Sequence, residues 1–297
     1  MAKYGMHYQG SKSSIADSII QFLPKGQRFC DLFGGGFAMS ECALKSGKYT
    51  QVLYNEINPL LPKVIKEAIE GKYNYKVFKP EWISREEFQR RKDKDGYVKY
   101  IWSFSNNGEA YMFSQQLEPM KKSLHNFVVF GLKDDFIKTY FDDIDRYITG
   151  ADIRKRRMLL RRYMVMKKQK RPLIELQQLE RLEQLERLQQ LERLQQLERL
   201  QQLELTCGSY SDYQHKDGDV VYCDPPYEGA AEYSSGFDHR KFYDWVATRD
   251  YTVYFSSFKN ISDKRFQMVW AKPKQNLMKG ASGQFTNYEC IYKNILA

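Results

Sequence analysis

Apolar residues fall at helical spacing from Ser13 to Leu23 (Ile15, Ile19, Ile20, Leu23) and the pattern stops at Pro24, which predicts a helix. Phe29 to Phe33 reads as a short buried strand, Gly34-Gly35-Gly36 as a turn, and Ala38 to Lys45 as a helix. Gln51 to Glu56 predicts a second strand, with Pro59 near the start of another helix. Strand, glycine turn, helix, strand is the βαβ pattern of a parallel sheet. The pattern returns late in the chain. Leu203 to Cys207, Asp219 to Cys223 and Tyr251 to Ser256 read as strands, and Ser282 to Lys293 as a closing hairpin.

Between these halves the periodicity changes. Residues 72–150 are rich in aromatics (Trp82, Tyr97, Tyr100, Trp102, Phe104, Tyr111, Phe113), with a turn at Ser103 to Gly108. From Leu173 to Leu203 a leucine occupies every third position, eleven in all, in hexads of Leu-Glu-Arg-Leu-Gln-Gln. In an α-helix three residues turn about 300°, so each leucine falls about 60° behind the last and six circle the helix. A coiled coil needs a 3.5-residue period, and a strand would alternate the leucines between faces. Two forms suit period three. A 3₁₀-like rod would stack every leucine in one stripe, roughly 60 Å long at about 2.0 Å per residue. A small solenoid turning at each repeat is the other. The rod is the preferred expectation, and its stripe must pack on its own domain or on a second copy of the chain.

The chain has 297 residues, with 47 Lys+Arg, 37 Asp+Glu and a formal net charge of +10. Arg154 to Arg171 alone carries ten Lys/Arg and no acid, so the rest is near neutral. Such a cluster points to a polyanion partner, nucleic acid before membrane, or else to a solvated helical face. No apolar run approaches the ~20 residues that span a bilayer, and the first residues lack a secretory apolar stretch. Five scattered cysteines and four histidines without ligand spacing argue against disulfides and against any metal site. A reducing, cytoplasmic setting is expected.

Asp224-Pro225-Pro226-Tyr227 follows the Asp219–Cys223 strand, where open α/β sheets bind ligands. An exocyclic amine on a base is a poor nucleophile because its lone pair is delocalised into the ring. Two acceptors aimed at its hydrogens localise that pair. Asp224 supplies one and the Pro225 carbonyl can supply the other. Pro225 and Pro226 stiffen the segment and offer no N–H. Tyr227 offers a flat face for a flipped-out base.

These residues resemble the S-adenosylmethionine-dependent amino-methyltransferases, specifically the DNA adenine methyltransferase (Dam-like) family and its phage members. The resemblance spans most of residues 4–71 and 206–293. Tyr8-Gln-Gly10-Ser-Lys12 is similar to the family's N-terminal cofactor motif. Asp31-Leu-Phe33-Gly-Gly35-Gly36 is similar to its glycine loop, with Phe37 where the family often has a further glycine. Asn55-Glu56-Ile-Asn58 is similar to the strand end whose carboxylate holds the cofactor ribose. Ser211-Asp212-Tyr213 resembles the segment beside the cofactor adenine, and Asp224 to Tyr227 the catalytic motif, whose Asp also lies close to the cofactor and is counted among its binding residues.

The resemblance implies a Rossmann-like methyltransferase sheet at 1–71 and 204–297, a helical and aromatic target-recognition insert at 72–172, and the repeat at 173–203. It implies S-adenosylmethionine as cofactor and methyl transfer to adenine N6 in duplex DNA by base flipping, in the cytoplasm of a bacterial host. Asn106, Asn107 and Tyr111 are candidates to read bases, although Asn-Asn-Gly is equally a plain turn. Arg154, Arg156, Arg157 and Arg161 are candidates for phosphate contacts. The same chemistry on RNA adenine or a protein amide, and a non-catalytic assembly role for the repeat, are the competing expectations.

Overall fold

The computed structural model describes residues 3–104, 108–150, 152–170, 179, 181–227, 236–258, 261–274 and 287–296. In chain order the elements are α1 (Ala16–Phe22), β1 (Arg28–Asp31), α2 (Ala38–Ser46), β2 (Gln51–Glu56) and α3 (Leu60–Ile69). There follow α4 (Arg85–Arg91), α5 (Gly96–Ile101), α6 (Glu118–Phe130), α7 (Asp135–Tyr140), α8 (Ile153–Lys170) and α9 (Glu183–Leu194). The chain closes with β3 (Leu203–Cys207), β4 (Asp219–Cys223), α10 (His239–Ala247), β5 (Val253–Phe258), β6 (Phe266–Lys274) and β7 (Asn287–Asn294). They group into two compact units: Ser11–Pro62 with Glu198–Ala297, and Met1–Gly10 with Lys63–Leu197. The repeat therefore has no unit of its own. Residues 1–10 and 63–71, expected with the catalytic half, group with the insert.

The first unit is built on a seven-stranded sheet in the order β3-β2-β1-β4-β5-β7-β6. The first five strands of that order run parallel, and β7 is antiparallel to both β5 and β6. The runs of β1, β2, β4 and β5 are apolar because these strands are largely covered on both faces; β1 is buried throughout, and the edge strand β3 is half-exposed. Cys30, Cys223 and Cys290 lie in the sheet's core with Phe242 and Val246 of α10 against them, so these thiols act as small apolar side chains. The register of β1 on β4 is pinned at its amino end. There Arg28 donates to both Asp219 oxygens, at 2.9 and 2.7 Å, across the pair Arg28↔Asp219. The expected hairpin is wider than its sequence signal. Its strands are β6 and β7, and residues 282–286 lie outside the described residues.

The β1–α2 turn explains its glycines. A Cβ on Gly34 would meet the Tyr54 ring at 2.1 Å. Phe37, at the supposed glycine position, takes a left-handed backbone (φ 72°, ψ 11°) as the N-cap of α2. Its ring is fully buried, edge-on to Tyr54 with centroids 5.5 Å apart. The backbone cost of about 1–2 kcal/mol is smaller than the gain from burying a phenyl group, about 3–5 kcal/mol as read from Phe→Ala changes. Phenylalanine therefore wins at a glycine position.

The second unit corrects the expectation of a 3₁₀ rod. Glu183–Leu194 is a regular α-helix, and Leu185, Leu188, Leu191 and Leu194 are completely buried. Over the twelve residues of α9 these four leucines step round only about 180° of the helix. The rod expectation failed because so short a helix keeps its leucines on one broad buried arc, with the half-buried Glu183, Glu186, Gln189 and Arg193 on the other. With that arc covered, the poorer hydrogen bonds of a 3₁₀ helix bring no return. Among the described residues of the repeat, Leu200–Gln202 alone forms a 3₁₀ turn, and the last leucine begins β3. Leu173 and Leu176 lie outside the described residues. The buried leucines are satisfied inside their own unit, which removes the ground for expecting self-association through them.

The polar residues of α9 find partners in the same core. Arg187 donates to the Ser103 carbonyl at 2.6 Å and the Tyr100 carbonyl at 3.2 Å, and burial lowers its guanidinium to about 10. Glu192 accepts from the Tyr75 amide at 2.9 Å and from Arg154. Gln184 donates to His125 Nδ1 at 3.2 Å, which leaves Nε2–H to donate to the Pro80 carbonyl at 2.9 Å. Lys121, itself buried, reaches Glu183 at 3.1 Å. Leu188→Ala is expected to cost about 2–5 kcal/mol, read as a fall in the denaturation midpoint at unchanged slope. A change under 1 kcal/mol would mean that the leucine arc of α9 is not covered.

Candidate active site

Three carboxylates end neighbouring parallel strands: Asp31 on β1, Glu56 on β2, and Asp224 just past β4. The strand order reverses between β1 and β4, which is the switch point where open α/β sheets bind ligands.

Asp31 is 1% exposed. Its Oδ2 accepts from Ser40 Oγ at 2.8 Å, and its Oδ1 has no hydrogen-bond partner among the described residues. Burial pushes its carboxyl up to about 7, and the charges of Asp224 and Glu56 add to the effect. Glu56 holds the backbone on both sides of the turn, accepting from Gly35 N at 2.9 Å and Asn58 N at 3.0 Å. Burial raises its carboxyl, against those amide bonds. Phe33 stacks on Tyr210 with centroids 5.3 Å apart and an interplanar angle of 23°.

At Asp224, Lys12 Nζ lies 2.7 Å from Oδ2, and the Tyr227 hydroxyl oxygen lies 3.2 Å from Oδ1. The same hydroxyl donates to Glu289 of β7, and Lys12 Nζ is 3.6 Å from Glu289 Oε1. Lys12 also lies 4.8 Å from the Tyr227 ring centroid. His239 of α10 bonds the Pro226 carbonyl at 2.8 Å, and Pro225 is buried. Burial raises the Asp224 carboxyl and Glu289 adds to that, opposed by Lys12. Burial works against the Lys12 charge, but its two carboxylates outweigh it and hold its ammonium above the ordinary lysine value.

The other candidates fall in different places. Asp212 is exposed and closes a capping box with Ser209. Tyr213 donates to Asp219 at the start of β4 and to Cys30 Sγ at 3.4 Å, so its hydroxyl points away from the strands' carboxyl ends. Tyr8 and Gly10 group with the second unit, where Tyr8 packs edge-on against Tyr100 at 5.7 Å and Gly10 is left-handed at φ 76°. Asn106 and Asn107 lie outside the described residues. Tyr111 is buried, with its hydroxyl donating to the Ile83 carbonyl at 2.7 Å, so its ring offers no face to a base.

Arg154, Arg156 and Arg157 are engaged within their own unit. Arg154 makes a two-bond pair with Glu192, Arg157 bonds Gln189 and lies 3.7 Å from Glu186, and Arg156 donates to the Val129 carbonyl at 2.8 Å. Arg161 is exposed, as are Lys155 and Arg162 on the same helix. Among the described residues no group of three or more His, Cys, Asp or Glu could hold a metal ion, and no helix is long and apolar enough to cross a membrane.

Sequence reasoning missed Glu289 and Tyr210. An acid inside the apolar run Tyr288-Glu289-Cys290-Ile291-Tyr292 was the available signal for the first.

The sheet order, the antiparallel β7 and the carboxylates at the strand ends define a Rossmann-like methyltransferase. The model of the D12 class N6 adenine-specific DNA methyltransferases matches residues 8–269. The chain belongs to that family and is an enzyme of adenine methylation in DNA. A search of the curated proteins found no match.

Proposed function

We propose that the chain transfers the methyl group of S-adenosylmethionine to N6 of adenine in a specific duplex DNA sequence, with the target base flipped from the stack. The observation that carries this reading is the gathering of Asp31, Glu56 and Asp224 at the strand ends, with Lys12 and Tyr227 on Asp224. The residues fit such a cofactor. Asp31 Oδ1 is a buried acceptor without a hydrogen-bond partner among the described residues, suited to an N–H donor. Glu56 has further lone pairs for hydroxyls beyond the two amides it already accepts, and Phe33 and Tyr210 form an aromatic wall. The cofactor, when bound, supplies an activated methyl group.

Asp224 and the Pro225 carbonyl accept the two amine hydrogens, localising the lone pair that attacks. Tyr227 stacks on the base, and Lys12 holds the Asp224 carboxylate ionised and oriented. Holding the two reactants in line supplies much of the rate. Phosphate contacts come from the exposed side of α8, at Lys155, Arg161 and Arg162.

The test is methyl transfer from labelled S-adenosylmethionine to unmethylated genomic DNA, followed by mapping of N6-methyladenine. Label confined to one short motif is expected. Label entering RNA or protein in preference to duplex DNA would overturn the substrate assignment.

A further inference from the structure

Glu289 is 1% exposed in the middle of β7, opposite Phe258 of β5 and Lys272 of β6. A carboxylate buried there is penalised by desolvation, and the sheet's own hydrogen bonding does not need it. Its oxygens meet the two side chains that hold Asp224. The Tyr227 hydroxyl has one proton to donate, and Glu289 is its closer acceptor, with Asp224 Oδ1 at 3.2 Å. That oxygen therefore keeps its lone pairs for another donor. Lys12 is shared in the same way, at 2.7 Å from Asp224 and 3.6 Å from Glu289.

We infer that Glu289 is a positioning residue for methyl transfer: it draws off the Tyr227 proton and part of the Lys12 charge, and so keeps Asp224 a turned and unspent acceptor for the substrate amine. This rests on the reading that Asp224 receives that amine. Glu289 acts through Tyr227 and Lys12. Among the described residues, Asp224, Glu289 and the Tyr227 ring face Lys12, with the Tyr222 phenol sensing the same carboxylates and Asp31 from within the sheet.

The experiment compares E289Q, E289D and E289A with the wild-type chain on duplex DNA carrying the mapped motif. E289Q should lower kcat about 10- to 100-fold, less than direct loss of the acceptor, with KM for DNA and cofactor within about threefold. E289D should recover part of the loss. Losing one of its two carboxylates lowers the Lys12 pKa, so the alkaline limb of kcat should move to lower pH in E289Q. A 15N NMR titration of the Lys12 ammonium in ligand-free protein reads the same shift without any turnover. The inference is overturned if E289Q keeps kcat within twofold of wild type, if the Lys12 titration does not move, or if kcat across the three variants simply follows their melting temperatures. If the wild-type chain methylates nothing, the functional reading fails by itself, and the Lys12 titration then supports or overturns the coupling alone.

Discussion

Asp224→Ala is expected to abolish methyl transfer, with kcat falling by about 10³-fold or more while the fold persists. Removing a single preorganised electrostatic partner of a reacting group costs about 10²–10³ in kcat. On the proposed mechanism this substitution removes both an acceptor for the amine and the negative charge beside it. The cluster survives because Lys12 keeps Glu289 at 3.6 Å and Tyr227 keeps its hydrogen bond to the same carboxylate. Asp224→Asn should fall between, since its amide oxygen still accepts but its charge is gone. Single-turnover assays with saturating DNA separate this from a binding defect. Wild-type-like turnover by the alanine variant, with its melting temperature preserved, would sink the catalytic assignment.

Asp31→Asn is expected to do two opposite things. The folded carboxyl is raised from 3.8 to about 7 because burial penalises its ionised form. A raised carboxyl binds protons more tightly in the folded chain than in the unfolded one. Its unfavourable contribution therefore grows as pH rises from about 4 to about 7 and is constant above. A rise of that size sets an upper limit of about 4 kcal/mol, and about 1–3 kcal/mol is expected once the site relaxes. Asparagine is nearly isosteric and its carbonyl can still accept from Ser40. The ligand-free variant should melt several degrees higher than wild type at pH 8, and the gap should close near pH 4. Calorimetry should show S-adenosylmethionine bound at least about tenfold more weakly, because a charged acceptor is lost. Equal melting temperatures at pH 8 would show that Asp31 is not under strain.

What the sequence disclosed was whatever depends on local pattern. The βαβ order, the strands Gln51–Glu56 and Asp219–Cys223 and the placement of Asp224 past a strand end all follow from short windows of sequence. What it hid depends on neighbours far along the chain. Arg154 reads as a free cation until Glu192, 38 residues on, is seen to accept from it. Tyr111 reads as a base reader until the Ile83 carbonyl takes its hydroxyl. Glu289 lies 277 positions from Lys12, and no window joins them. The leucine repeat misled for a subtler reason: its period was measured correctly, but α9 is only twelve residues long, so its four leucines never complete the circuit that the full repeat implies.

A helix with a leucine at every third position has a peculiar freedom. Sliding α9 along its axis by three residues, with the matching rotation, lays leucines on leucines, so hydrophobic packing scarcely distinguishes one register from the next. A slide of six from Leu185 onward even replaces Glu-Arg with Glu-Arg and Gln-Gln with Gln-Gln. Alignment has to come from something that breaks the repetition. Within α9 the hexads depart from Gln-Gln at one place, where Glu183 precedes Gln184, and Glu183 is the residue that Lys121 reaches from α6. That ion pair serves as the notch of a key: it adds little to the grip of the core, but it marks which of several equivalent positions is home.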